Sequence, residues 1–227
     1  MKTFLKAGLM VALLTGVMGL ATSAKADALL PMTTIAGPST TGFFGGVFQA
    51  SASNTFSNGA LAGTARVAVF SGGSGACAGC LDFYYQFTNT GGATLDSVTR
   101  TSNFNFDGAV ITTNVFQITN GASIGAGWQN GTVLSLSADR DNGSTVGQTF
   151  SVLGGPASLF VPGTTNLAFV IRTNATQFTT GNYAIIDGVA QNNPAFSPVV
   201  VPEPASMLLL GTGLVGLAGA FRRRFNK

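Results

Sequence analysis

The chain of 227 residues has no histidine, two cysteines and 8% charged residues. Without histidine there is no Ser-His-Asp catalysis. Two cysteines alone fall short of the four nitrogen and sulfur ligands of a structural zinc site, and no other metal or cofactor motif stands out. The charged fraction is far below the ~25% of an ordinary soluble domain. Hydrophobic residues nevertheless make up 45% and aromatics 10%, the reverse of a disordered composition, so the chain can bury a core. Cations are scarce in the middle of the chain. Lys2, Lys6, Lys25, Arg222, Arg223, Arg224 and Lys227 sit near the ends, and only Arg66, Arg100, Arg140 and Arg172 lie between. Against these four stand Asp27, Asp82, Asp96, Asp107, Asp139, Asp141, Asp187 and Glu203, so the body carries 4 − 8 = −4. That balance offers no basic patch for nucleic acid, and a body without lysine has no Ser–Lys catalysis.

What is present begins with the two ends. Met1 to Lys6 is basic, Ala7 to Leu20 is apolar, and Ala24-Lys25-Ala26 follows. This is the order of a signal peptide spanning residues 1–26, cleaved after Ala26 by a signal peptidase. The alternative, an uncleaved membrane helix, would call for a longer apolar run of about 20 residues. Export places the rest in a compartment that permits disulfides. At the other end, Val201-Pro202-Glu203-Pro204 precedes an apolar stretch and then Arg222-Arg223-Arg224. Proline disfavours helix up to Pro204. Residues 205–221 then suit one transmembrane helix near the lower length limit. The arginines act as a stop-transfer signal in a cytoplasmic tail, residues 222–227. A plain tail anchor is the alternative reading.

In this three-part order the tail resembles the PEP-CTERM sorting signal of exopolysaccharide-producing bacteria. The resemblance covers residues 201–227. It implies recognition by an exosortase, a membrane-embedded transpeptidase that removes the helix, and a transient stay at the inner membrane before the cell surface or the exterior. Related tails also occur on proteins labelled ice-binding. The resemblance implies nothing about the activity of residues 27–200.

The body, residues 27–190, reads as an all-β sandwich or jelly roll. Short apolar runs near 43–49, 60–70, 81–88, 97–101, 109–118, 132–138, 149–153, 166–173 and 183–189 alternate with Gly- and Asn-rich turns such as Asn58-Gly59, Gly72-Gly73 and Asn142-Gly143. Leu81, Phe83, Tyr85 and Phe87 alternate with Asp82, Tyr84 and Gln86, the period of a strand. Core aromatics are expected at Phe83, Tyr85, Phe104, Phe106, Phe116, Phe169 and Tyr183. Residues 27–42 read as an irregular lead-in, and 191–204 as a Pro/Asn linker ending in the sorting motif.

Cys77-Ala78-Gly79-Cys80 is the most specific local motif. No helix follows it to lower a thiol pKa for redox work, so a local disulfide is expected. Asp139-Arg140-Asp141-Asn142-Gly143-Ser144 breaks the calcium-loop spacing and reads as an acidic hairpin turn. A glycosidase needs two carboxylates about 5–9.5 Å apart. Asp82 and Asp187 are the pair that a sheet would have to bring together. Tyr84 and Trp128 are candidate ligand contacts if the body binds sugar by stacking. The reading that follows is a non-catalytic surface or matrix protein, without cofactor or metal, associated with exopolysaccharide. The alternatives are a carbohydrate- or ice-binding module and, third, a carboxylate hydrolase.

Overall fold

The computed structural model describes residues 26–199, apart from 60, 74–76, 78, 92–97, 108–110, 112 and 151–159. The expected signal peptide up to Lys25, Asp96, the sorting motif, the transmembrane helix and the arginine tail lie outside the described residues. Among the described residues no helix is long and apolar enough to cross a membrane.

Thirteen strands are described: β1 (Asp27–Ala28), β2 (Thr33–Ala36), β3 (Thr40–Thr41), β4 (Val47–Ser57), β5 (Ala62–Ser71), β6 (Leu81–Asn89), β7 (Arg100–Asn103), β8 (Thr113–Ile118), β9 (Ser137–Arg140), β10 (Val146–Thr149), β11 (Ala168–Thr173), β12 (Gln177–Asp187) and β13 (Val189–Val199). They form a seven-stranded sheet, ordered β1-β8-β11-β6-β5-β4 with β3 beside β8, and a six-stranded sheet, ordered β13-β12-β7-β10-β9-β2. Every strand pair is antiparallel except β3–β8. The inner faces share one core, in which Phe83, Tyr85, Phe87, Phe106, Phe169, Tyr183 and Ile185 are buried. The Tyr85 hydroxyl crosses it to donate to the Phe196 carbonyl at 2.8 Å. The all-β expectation therefore holds as two packed sheets.

The seven-stranded sheet has a second core on its outer face, where Phe70, Tyr84, Phe116, Ile118 and Val170 are covered by Phe43, Phe44, Ile124 and Trp128. Strand β6 is thus buried on both sides. The period-two pattern correctly marks it as a strand, but Asp82, Tyr84 and Gln86 do not face water. Gln86 meets its needs inside: its amide donates to the Gln129 and Asn166 carbonyls and accepts the Gln129 N–H, as a buried polar group must. Of the expected core aromatics, Phe104 is only half-buried and Phe116 belongs to the outer cluster.

Two expectations about the ends of the body are corrected. Residues 27–42 are not irregular throughout: Asp27–Ala28, Thr33–Ala36 and Thr40–Thr41 pair with β8 or β9. Residues 191–199 are not linker but most of β13, paired along its length with β12. Prolines are tolerated there because β13 is an edge strand. Pro194 and Pro198 stand four residues apart, opposite Asn182 and Phe178, so both occupy the same phase of the ladder.

Candidate functional site

The strands give the sandwich two poles. At one pole β13 ends at Val199, opposite Gln177 at the start of β12. In the other sheet, β4 begins, β5 ends, β6 begins and β11 ends at this same pole, as the pairs Val47–Ser71, Ser71–Leu81 and Arg172–Asp82 require. We call it the exit pole.

A groove of about 350 Å³ opens here, lined by Gln49, Ser71, Gly79, Leu81, Thr176, Gln177 and Phe178. A bulge between Phe48 and Ala50 sets Gln49 apart from the ladder, and its amide donates to the Ser71 hydroxyl at 2.9 Å and the Val47 carbonyl at 3.1 Å. Phe178 is braced edge-on by Phe196 at 5.5 Å. The β5–β6 loop forms another wall. Cys77 and Cys80 are joined in a disulfide, with Cα atoms 5.2 Å apart. The Cys80 carbonyl accepts from Gly72 N–H at 3.1 Å, and Leu81 N–H donates to the Ala175 carbonyl at 2.9 Å. The lining offers amides, hydroxyls, an aromatic edge and aliphatic surface, with no titratable side chain. Its chemistry suits binding a neutral polar ligand rather than moving protons.

Beside it, under the outer face, lies a buried ion pair. Asp82 Oδ1 accepts from Arg172 Nε at 3.2 Å. The guanidinium is stacked between Phe44 and Phe116, 5.1 and 4.9 Å from the ring centres. Asp82 Oδ2, Arg172 Nη2 and the Tyr84 hydroxyl find no hydrogen-bond partner among the described residues. Burial raises the Asp82 carboxyl from 3.8 to about 6, against the opposing pull of Arg172. The Tyr84 phenol is pushed well above its ordinary range, mainly by burial. Gly73 lets the chain close over this pair: a Cβ there would meet the Gly45 carbonyl at 2.5 Å and Asp82 Oδ2 at 3.2 Å.

A second buried cation, Arg140, anchors the other side of the pole. It donates to the Thr113 hydroxyl and to the Leu29, Phe106, Asp107 and Ile111 carbonyls, the last at 2.6 Å. Burial lowers its pKa, and this crown of acceptors compensates the charge.

The structure separates several residues that sequence patterns had suggested together. Tyr84 is fully buried and Trp128 is 8% exposed; rings without an open face cannot stack on a surface ligand. Asp82 and Asp187 lie at opposite poles in different sheets, the latter at the β12–β13 hairpin, so they form no acid–base pair. Asp141 closes a turn: its Oδ1 accepts from Gly143 and Thr145 N–H. Among the described residues, no three acidic or cysteine side chains gather to hold a metal ion. The groove residues Gln49, Ser71, Thr176 and Gln177 went unnoticed in the sequence. Only the Cys77–Cys80 loop hinted that this region was built to a fixed shape.

Val199 leads straight into the tail. Residues 200–224 match the PEP-CTERM protein-sorting motif. The sorting motif implies export and processing at the membrane by an exosortase, on the way to the cell surface. No curated protein and no solved structure is significantly similar to the chain.

Proposed function

We propose that the protein is an exported, non-catalytic constituent of the cell surface or extracellular matrix. It is delivered by its sorting motif and associates with exopolysaccharide. The observation that carries this reading is the direct junction between the sandwich and the sorting motif. Strand β13 ends at Val199 and the motif begins at residue 200, so the folded body is itself the cargo. A body held by two packed cores, with its two carboxylate candidates at opposite poles, fits a structural or binding role better than hydrolysis.

Mass spectrometry of the protein recovered from cells tests this. The expected product starts at Asp27 and has lost the apolar helix, and Glu203→Ala leaves the helix attached. Intact 227-residue chain dissolved in the cytosol would overturn the reading.

The groove favours a second reading, a carbohydrate-binding module. Its amide and hydroxyl groups beside Phe178 suit the hydroxyls and apolar faces of a sugar. A glycan array with the processed protein tests this. Saturable binding lost in Gln49→Ala and Gln177→Ala supports a module; no binding to any glycan supports a purely structural role.

A further inference from the structure

The exit pole carries an apolar surface that the body's own packing does not explain. Leu30, Met32, Val47 and Phe48 are 63, 75, 66 and 58% exposed, more than any other large hydrophobic side chain among the described residues. Leu134, Leu136, Val161 and Val189 are less exposed, and Val189 marks the opposite pole. The four lie in two pairs. Val47 and Phe48 open β4, the edge of the seven-stranded sheet, next to the end of β13. Leu30 and Met32 link β1 to β2 at the other edges of the two sheets. Five strand spacings separate these corners, about 24 Å. Met32 stands at φ +58 in a turn closed by Thr33 N–H to the Leu30 carbonyl at 3.2 Å. A glycine would take that conformation freely, but here it holds out a long apolar side chain.

The tail decides what this pole faces. From Val200 to Met207, where the apolar run begins, the chain has eight residues, which reach at most about 28 Å. About 6 Å of that crosses the headgroup layer. The strands β4, β12 and β13, each 11 residues long, put the opposite pole about 35 Å further away. We infer that, while the tail lies in the bilayer, the exit pole rests on the membrane surface. Leu30 and Met32 at one corner and Val47 and Phe48 at the other enter the headgroup boundary, so the sandwich stands upright beside its own sorting motif. The inference rests on the sorting reading of the tail.

The contact is apolar rather than electrostatic. Asp107 and Asp141 are exposed at this pole, whereas its arginines, Arg140 and Arg172, are buried. Neutral lipid is therefore the expected partner, and added salt does not release the pole.

The test uses the chain with its tail intact, reconstituted into phosphatidylcholine vesicles. Met32→Cys, Phe48→Cys and Val189→Cys each carry an environment-sensitive fluorophore; Cys77 and Cys80, being joined, do not react. Labels at 32 and 48 should be quenched several-fold more by headgroup-level spin-labelled lipid than the label at 189, which iodide in the water should quench instead. Flotation with all three labels equally open to iodide overturns the orientation alone. Labels at 32 and 48 shielded from both quenchers mean that a second copy or another protein covers the pole, which also overturns it. A chain that does not float with the vesicles overturns the tethering reading and this inference with it.

Discussion

The two poles of the sandwich solve the same problem with different chemistry. At the hairpin pole two of the reversals are closed by local backbone chemistry. Asn58 Oδ1 accepts from Leu61 N–H at 2.8 Å to close the β4–β5 turn, and Gly188 at φ +66 joins β12 to β13. At the exit pole the fold relies instead on ions taken out of water: Arg140 under its crown of carbonyls, and Arg172 with Asp82 beside two phenyl rings. Cutting either buried ion from its partners leaves an uncompensated charge or a ring of unmet acceptors. The exit pole should therefore be the more fragile, and it is the region that adjoins the sorting motif.

The largest expected difference is between Arg140 and Arg100. Arg140→Ala takes a donor from five acceptors, of which the Leu29 and Asp107 carbonyls keep another, and should lower stability by about 3–5 kcal/mol. Arg100 grips Asp139 with two short hydrogen bonds but is a third exposed, and Arg100→Ala should cost about 1 kcal/mol or less. Urea denaturation of both variants checks the contrast; equal losses would remove the distinction between poles.

Next comes the pH response of the same pole. The Asp82 carboxyl binds its proton more tightly folded than unfolded, since burial raises it to about 6. Its contribution to stability is therefore complete below the unfolded value near 4 and is lost as pH rises through about 6, on the order of 2–3 kcal/mol. Asp82→Asn should flatten the fall in stability between pH 4 and 7. Parallel profiles for the variant and the parent protein would show that some other group sets the slope.

Glycines give a smaller contrast. Gly73→Ala drives a methyl group onto the Gly45 backbone and should cost about 2 kcal/mol. Gly188→Ala meets open space and should lose only about 1 kcal/mol, from its positive φ. If the two variants melt together, the close packing over Asp82 contributes little.

The sequence made the strands easier to read than their surroundings. Alternation in Leu81 to Phe87 marked β6, because strand period is a local property. That Asp82, Tyr84 and Gln86 are also buried depends on Phe43, Phe44 and Trp128 folding over them, contacts made by residues about 40 positions away in either direction. The same distance misled the choice of Tyr84 and Trp128 as surface contacts. In β13, Pro194 and Pro198 look like linker until the strand is known to lie at a sheet edge. The groove was hidden for a related reason: Gln49, Ser71 and Gln177 come from three strands and have no motif in common. The sorting motif was fully legible, since it is read as a linear address rather than as a fold.

The disulfide gives the finest test of the comparison. It sits at the exit pole, yet it closes a loop of only four residues, Cys77 to Cys80. Constraint of the unfolded chain by so short a loop is worth at most about 2 kcal/mol. Its larger effect should be local, on the backbone bonds from Gly72 to Cys80 and from Leu81 to Ala175 that shape the groove wall. Cys77→Ser with Cys80→Ser should lower stability by about 1–2 kcal/mol and raise amide hydrogen exchange at Leu81 while leaving Leu61, at the hairpin pole, unchanged. Faster exchange at both residues would mean that the loop supports the whole sandwich, and the two poles would then have to be treated as one cooperative unit.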